Sequence, residues 1–412
     1  MNQLLRQHAS EIVAKSIKAV LPDEAVRRTL EGRSFPGRVF LIATGKAAWQ
    51  MASAAVACLP QGVQGVVVTK YDHVKGDIPG CTCYEAGHPV PDENSFKGTA
   101  AALELVAGLK ETDTVLFLLS GGGSALFENP LIPGEELQDI TRQLLACSAD
   151  IVEMNTIRKR LSAVKGGKFA QHCAPARVLS IVLSDILGDP LDMIASGPAY
   201  PDSSTCEDAL RIVKKYGLRL SEQALACLGK ETPKALDNVE TYVNGSVREL
   251  CAAAADAAKA LGYRPVFLTD QLCCQAKEAG SFLASVLKSH QAAGEALAFI
   301  AGGETVVQLV GKGLGGRNQE LALAAADGIA GIPGAAVFSV GSDGTDGPTD
   351  AAGGYVDSDT AAALAAEGLS VHGVLMNNDA YNALGKVDGL IVTGATGTNV
   401  NDVAVALLNP KA

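Results

Sequence analysis

Tryptophan occurs once in this chain, at Trp49, and histidine only six times, at His8, His73, His88, His172, His290 and His372. No candidate Ser–His–Asp set and no Cys/His cluster of metal-ligand spacing is visible around them, so hydrolase and zinc readings lack support. Positive charge is also short. Against 45 acidic residues stand 34 basic ones, a net charge of −11, with no basic stripe to hold a polyanion, which argues against nucleic acid as a partner. No Cys-x-x-Cys occurs, and the ten cysteines scatter through presumed helices and strands, so they read as buried thiols rather than a disulfide frame. No run approaches eighteen uncharged apolar residues, and the first helix, interrupted by Arg6, Glu11 and Lys15, is amphipathic rather than a secretion signal. A soluble, cytoplasmic protein without membrane association is expected. Finally, G-x-x-x-x-G-K-[ST] is absent, which excludes a P-loop kinase at this level.

What the sequence does have is TVLFLLSGGGSALF at 114–127, an apolar run that stops at Ser120 and continues as three glycines and a second serine. A buried parallel strand feeding a turn explains it. Gly121, Gly122 and Gly123 admit positive φ and close approach, so Ser120 to Ser124 could cradle an anion with backbone N–H groups, or could simply make a tight strand-to-helix turn. Around this stretch, strands and helices alternate: Val39 to Ala43, 65–70, 81–86 and ARVLSIVLSDILGDP on one side of a helical connection at 202–239. Alternation of this kind predicts an open, doubly wound parallel sheet with helices on both faces. Beyond the connection a second α/β region follows, including a strand-turn-strand AFIAGGETVVQLVG, and 412 residues exceed what one core usually organises. The expected domains are 1–238 and 239–412.

In such sheets ligands sit outside the carboxyl ends of the strands, so the loops there are the place to seek chemistry. Lys46 stands at a helix entrance, where its ammonium can supplement helix-terminal N–H groups in holding phosphate. His88 lies in GHPVPDENS. Asp185 and Asp189, four apart in SDILGDP, could hold Mg2+ or accept a hydroxyl proton, although aspartate is equally an ordinary turn residue. GSDGTDGPTDAAGG adds Asp343, Asp346 and Asp350 without matching an EF-hand. GKGLGGRNQE formally contains G-x-G-x-x-G at Gly311, Gly313 and Gly316, a weak match in a chain with 44 glycines; its notable residue is Arg317, a planar cation suited to phosphate or carboxylate.

Taken together, ATGKAA, GHPVPDENS, LLSGGGSALF, MNTIRKRLSAVKGGK, LSDILGDPLDMIASGP, GGRNQELAL and GSDGTDGPTDAAGG resemble the MOFRL-type, or class II, glycerate 2-kinases, in order from about residue 5 to residue 405. The resemblance implies a Rossmann-like amino-terminal domain, a distinct α/β MOFRL-type carboxyl-terminal domain and an active site in the cleft between them. It implies transfer of the γ-phosphate of ATP, with Mg2+, to the 2-hydroxyl of D-glycerate, and it places the family's essential lysine on Lys46 and essential arginine on Arg317. Ser120, Gly121, Gly122, Gly123, Ser124, His88, Asp343 and Asp346 are then expected to bind substrate or nucleotide, with Asp185 and Asp189 catalytic or metal-binding. A monomer or homodimer is expected. The rivals are an NAD(P)H-dependent hydroxypyruvate reductase, which the weak glycine pattern at 311–316 would serve, and a non-catalytic binder of sugar acids or phosphate.

Overall fold

The computed structural model describes residues 1–59 and 62–412. The chain divides into two compact units. One comprises residues 25–184 and 189–244, called here the glycine-turn unit, and the other residues 1–24, 185–188 and 245–412, the carboxyl-terminal unit.

The glycine-turn unit is built on β1 (Val39–Thr44), β2 (Gln64–Lys70), β3 (Cys81–Ala86), β4 (Thr114–Leu119), β5 (Arg177–Leu183) and β6 (Val239–Gly245), in the order β3-β2-β1-β4-β5-β6. The β3–β2, β2–β1, β1–β4 and β4–β5 pairs are all parallel. Every residue of β1 (VFLIAT) and β4 (TVLFLL) is buried, which is why both read as continuous apolar runs instead of alternating ones. Met51, Ala52 and Ala55 of the helix Ala48–Cys58 cover Leu41, Ala43, Leu116 and Leu118 on one face. On the other, Phe117 packs its ring 5.7 Å from that of Phe127 and 4.7 Å from that of Phe169. The chain runs outward from β1 to β3, then returns to β4 on the opposite side of β1. Strand order therefore reverses between β1 and β4, the position at which doubly wound sheets open a crevice.

The carboxyl-terminal unit holds β7 (Arg264–Leu272), β8 (Leu297–Gly303), β9 (Ala335–Gly341), β10 (Gly353–Asp357), β11 (Leu390–Ile391) and β12 (Asp402–Leu408), in the order β11-β10-β9-β12-β8-β7. β12 runs antiparallel to both neighbours while β7 and β8 are parallel, so this sheet is mixed. Its two faces follow the strand period of two. Ile300, Phe338 and Val405 point into one core, and Phe299, Val337 and Ala406 into the other, beneath the helices Ala276–His290 and Arg317–Ile329. No helix among the described residues is long and apolar enough to cross a membrane.

Two boundaries differ from the division expected at residue 238. The first five residues of TYVNGS, expected to open the second domain, lie in β6, the sixth strand of the first sheet, and the units part at 244/245. The amino-terminal helix Gln3–Ala19 belongs to the carboxyl-terminal unit. Its stripe of Leu5, Ala9, Ile12, Val13 and Ile17 is buried with Leu250, Ala254 and Ala257 of the helix Val247–Ala260. At roughly 1.5–3 kcal/mol for each fully buried large aliphatic side chain, that stripe decides where the helix goes.

Candidate functional site

In the glycine-turn unit the loop after β1 is tied to the loop after β4 and to the end of β2 by short hydrogen bonds. The Lys46 N–H donates to Gly121 O at 2.9 Å, the Gly45 N–H to Val68 O at 3.2 Å, and the Thr69 hydroxyl to Gly45 O at 3.0 Å. Ser120 is buried, and its Oγ accepts the Ala47 N–H at 3.1 Å, so this serine joins the two loops instead of facing a ligand. Gly45 has φ 118°, and a Cβ there would sit 2.2 Å from Ser120 Oγ; only glycine fits. Gly122, at φ 87°, brings His88 and Lys46 to one place: a Cβ on it would lie 3.1 Å from His88 Cδ2 and 3.3 Å from Lys46 Cγ.

The Lys46 side chain is exposed, and no hydrogen bond or ion pair holds its ammonium among the described residues. Burial, and then the charges of Lys46, Lys70 and His73, push the His88 pKa below its ordinary value, so the imidazole is neutral at pH 7. The turn thus presents one unpaired cation, one neutral imidazole and the glycine backbone.

A second segment supports the turn. Ala195 (φ 50°), Ser196 (φ 61°) and Gly197 (φ 65°) are successive left-handed residues, and the two non-glycine ones carry strain of about 1–3 kcal/mol each. Ser196 Oγ lies 3.1 Å from Ser124 Oγ and donates to Asn155 Oδ1 at 2.8 Å, while a Cβ on Gly123 would meet Ala195 Cβ at 2.6 Å. Neither Asn155 nor Ser196 stands out in the sequence on its own. Their only signal is that MNTIRKR and IASGP fall within the resembling motifs.

Asp189, at φ 50°, has its Oδ1 buried without a hydrogen-bond partner among the described residues. Asp185 is half-buried and belongs to the carboxyl-terminal unit, whereas Asp189 belongs to the glycine-turn unit. Among the described residues no group of three or more His, Cys, Asp or Glu could hold a metal ion. The basic KGGK turn is spent on structure. Lys165, fully buried, pairs with Glu128 at 2.5 Å, and the Lys168 ammonium donates to the carbonyls of Ser162 (2.7 Å) and Lys159 (3.0 Å), burial pushing its pKa down to about 8.

In the carboxyl-terminal unit, Arg317 opens the helix Arg317–Ile329. Its Nε and Nη2 donate to Asp402 Oδ2 and Oδ1 at 2.6 and 3.0 Å, and Nη1 to Glu304 Oε1 at 2.8 Å. Burial alone would weaken the protonated form, but the hydrogen bonds and charge of Asp402, with Glu304 behind them, outweigh it and hold the Arg317 pKa above its ordinary value. Asp346 caps the same helix, accepting the N–H groups of Asn318 (3.1 Å) and Gln319 (2.8 Å). Desolvation raises this carboxyl to about 6 despite those bonds.

The other two carboxylates of that loop also have local partners. Asp343 accepts the Thr345 N–H at 3.0 Å and Asp350 the Tyr381 hydroxyl at 2.7 Å. The glycines at 311–316 allow close packing, since a Cβ would lie 2.3 Å from Asn377 at Gly311, 2.4 Å from Asp379 at Gly313 and 2.3 Å from Asp346 at Gly316. With Asp346 on the helix N–H groups that a pyrophosphate would need, a dinucleotide site finds no support here.

Residues 8–229 match the domain of unknown function DUF4147, and residues 297–402 match the MOFRL family. The D-glycerate 2-kinase of Thermotoga maritima is 54% identical over 411 residues, covering 98% of each chain, and the glycerate 2-kinase of Pyrococcus horikoshii is 40% identical over 99% of this chain and 98% of that one. A crystal structure of a glycerate kinase from Thermotoga maritima, 53% identical, superposes with a TM-score of 0.94 over 99% of this chain and 100% of that chain. On its two matched segments, its full-length relatives and its fold, the chain belongs to the MOFRL-type glycerate kinase family.

Proposed function

We propose that the protein transfers the γ-phosphoryl group of ATP to the 2-hydroxyl of D-glycerate, giving 2-phosphoglycerate and ADP. The observation that carries this reading is the 54% identity, over 98% of both chains, with a protein named D-glycerate 2-kinase. The local geometry supports it through the unpaired Lys46 ammonium beside the glycine turn, at the switch point of a parallel sheet.

Phosphoryl transfer needs positioning and neutralisation of charge more than covalent chemistry by the protein. The glycerate 2-oxygen bonds to the γ-phosphorus, the bond from that phosphorus to the bridging oxygen of ADP breaks, and the hydroxyl proton leaves to a base. Lys46 and the N–H groups of Gly121 to Ser124 neutralise phosphate oxygens. His88, neutral, takes a hydrogen bond beside Lys46. Arg317, its plane fixed by Asp402, offers the edge that Glu304 now holds to a carboxylate or phosphate, and Asp346 keeps the helix under Arg317 in place.

Mg2+, when bound, would spread the charge developing on the β- and γ-phosphates. The orphaned Oδ1 of Asp189 fits such a cation, with Asp185 as the second candidate. Mg2+ usually takes one or two carboxylates and fills its remaining sites with phosphates and water. A carboxylate not spent on the ion accepts the hydroxyl proton. Phosphorus NMR of the product formed from D-glycerate, ATP and Mg2+ tests this. A signal from phosphate on O2 with stoichiometric ADP is expected, whereas phosphate on O3, or no ADP, overturns the assignment.

A further inference from the structure

Arg158 lies on the helix Ile151–Leu161. The neighbouring cations Lys159, Arg160, Lys165 and Lys168 all have short-range partners, yet the half-buried Arg158 guanidinium has no hydrogen bond or ion pair among the described residues. Burial pushes its pKa down, and the charge of Glu128 opposes that only in part. It feels the charges of Glu128 and Lys165, but Glu128 Oε2 is already paired with Lys165 at 2.5 Å, so the one carboxylate and two cations together carry one uncompensated positive charge.

The position is next to the glycine turn. Glu128 lies four residues after Ser124 in the chain, and Asn155, three residues before Arg158 and so on the same side of the helix, reaches Ser124 through Ser196. We propose that Arg158 is a substrate-binding side chain of this site, taking an anionic oxygen, carboxylate or phosphate, next to Ser124. The inference rests on the kinase reading for its ligands. Its fork of donors suits a two-oxygen anion better than the single point of Lys46 does.

Arg158→Ala and Arg158→Lys separate the possibilities. For each variant and the wild type, D-glycerate and ADP are titrated separately by their effect on the melting midpoint, and KM is measured for D-glycerate and ATP. The expected result is at least a tenfold loss of affinity for one ligand in Arg158→Ala, with partial retention in Arg158→Lys and no fall in the melting midpoint of the free protein. A loss confined to D-glycerate identifies its carboxylate, and one confined to the nucleotide identifies phosphate. Affinities within twofold of wild type for both overturn the inference while wild-type turnover stands. A lower midpoint in the free Arg158→Ala protein also overturns it, because the arginine then serves the unpaired Glu128 Oε1 instead of a ligand. If the wild type fails to turn over D-glycerate, the kinase reading falls, and the titrations still decide whether Arg158 holds an anion.

Discussion

Arg317 grips Asp402 with two nitrogens, Nε to Oδ2 at 2.6 Å and Nη2 to Oδ1 at 3.0 Å, and this pairing fixes the plane of the guanidinium. The Asp402 side chain is 8% exposed and that of Glu304 47%, so Asp402 is the buried partner and Glu304 the accessible one. Arg317→Ala is expected to lower turnover by about a hundredfold or more. It should also cost about 3 kcal/mol of stability, because Asp402 is left buried without its cation. Arg317→Lys keeps the charge without the fork and should remain slow, whereas Glu304→Gln should keep the fold and leave KM unchanged or lower. Steady-state kinetics beside melting curves check all three, and near-normal turnover in Arg317→Ala removes the residue from the reaction.

Lys46 is the opposite case, since its ammonium has nothing to hold among the described residues of the free protein. Lys46→Ala should therefore leave the melting midpoint where it is and still reduce turnover by about a hundredfold or more. A variant that loses stability and activity together would assign the lysine to the fold instead.

The strands and the glycine turn were legible because they rest on local rules. β1 and β4 are unbroken apolar runs closed by glycine, and the carboxyl-end rule then led to Lys46. What escaped depends on partners distant in the chain. The stripe Leu5–Ile17 says that the first helix buries one face, but not that Leu250 and Ala254 supply the other side. VVQLV at 306–310 reads as a strand, yet Val306, Leu309 and Val310 are exposed, and the segment makes a single bridge among the described residues, Gln275 to Val306. Asp343, Asp346 and Asp350 look alike in sequence, and only the tertiary structure makes Asp346 the helix cap. No periodicity marks Ser196, a serine in the left-handed region where glycine would have been the signal.

Gly122 links backbone conformation to chemistry. Alanine there must adopt φ 87° and press on His88 and Lys46 from 3.1 and 3.3 Å. Gly122→Ala should cost roughly 1–2 kcal/mol and reduce turnover as well, because both neighbours must give way. Gly45→Ala, whose Cβ would lie 2.2 Å from Ser120 Oγ, should be the more destabilising of the two. Denaturant midpoints rank the pair, and the reverse order would mean that the Ser120 staple yields easily.

Asp346 makes stability depend on pH with a defined sign. Its native pKa is raised by burial to about 6, above the value near 3.8 of a free aspartate, so between those limits the folded chain binds more protons than the unfolded one. Stability from this group is complete below about pH 4, falls as pH rises through 6, and is flat above; the interval between those two pKa values corresponds to up to about 3 kcal/mol. Asp346→Asn removes the titration but turns an amide N–H toward the Asn318 or Gln319 N–H, costing roughly 1–3 kcal/mol at pH 8. Groups distant from Asp346 titrate equally in both proteins, so the difference between their unfolding free energies reports this carboxyl together with Asp402, whose charge it feels. Wild type should hold its largest advantage over Asp346→Asn near pH 4 and lose part of it by pH 7. A difference that stays level across that range would mean the helix N–H groups, not desolvation, control this carboxylate.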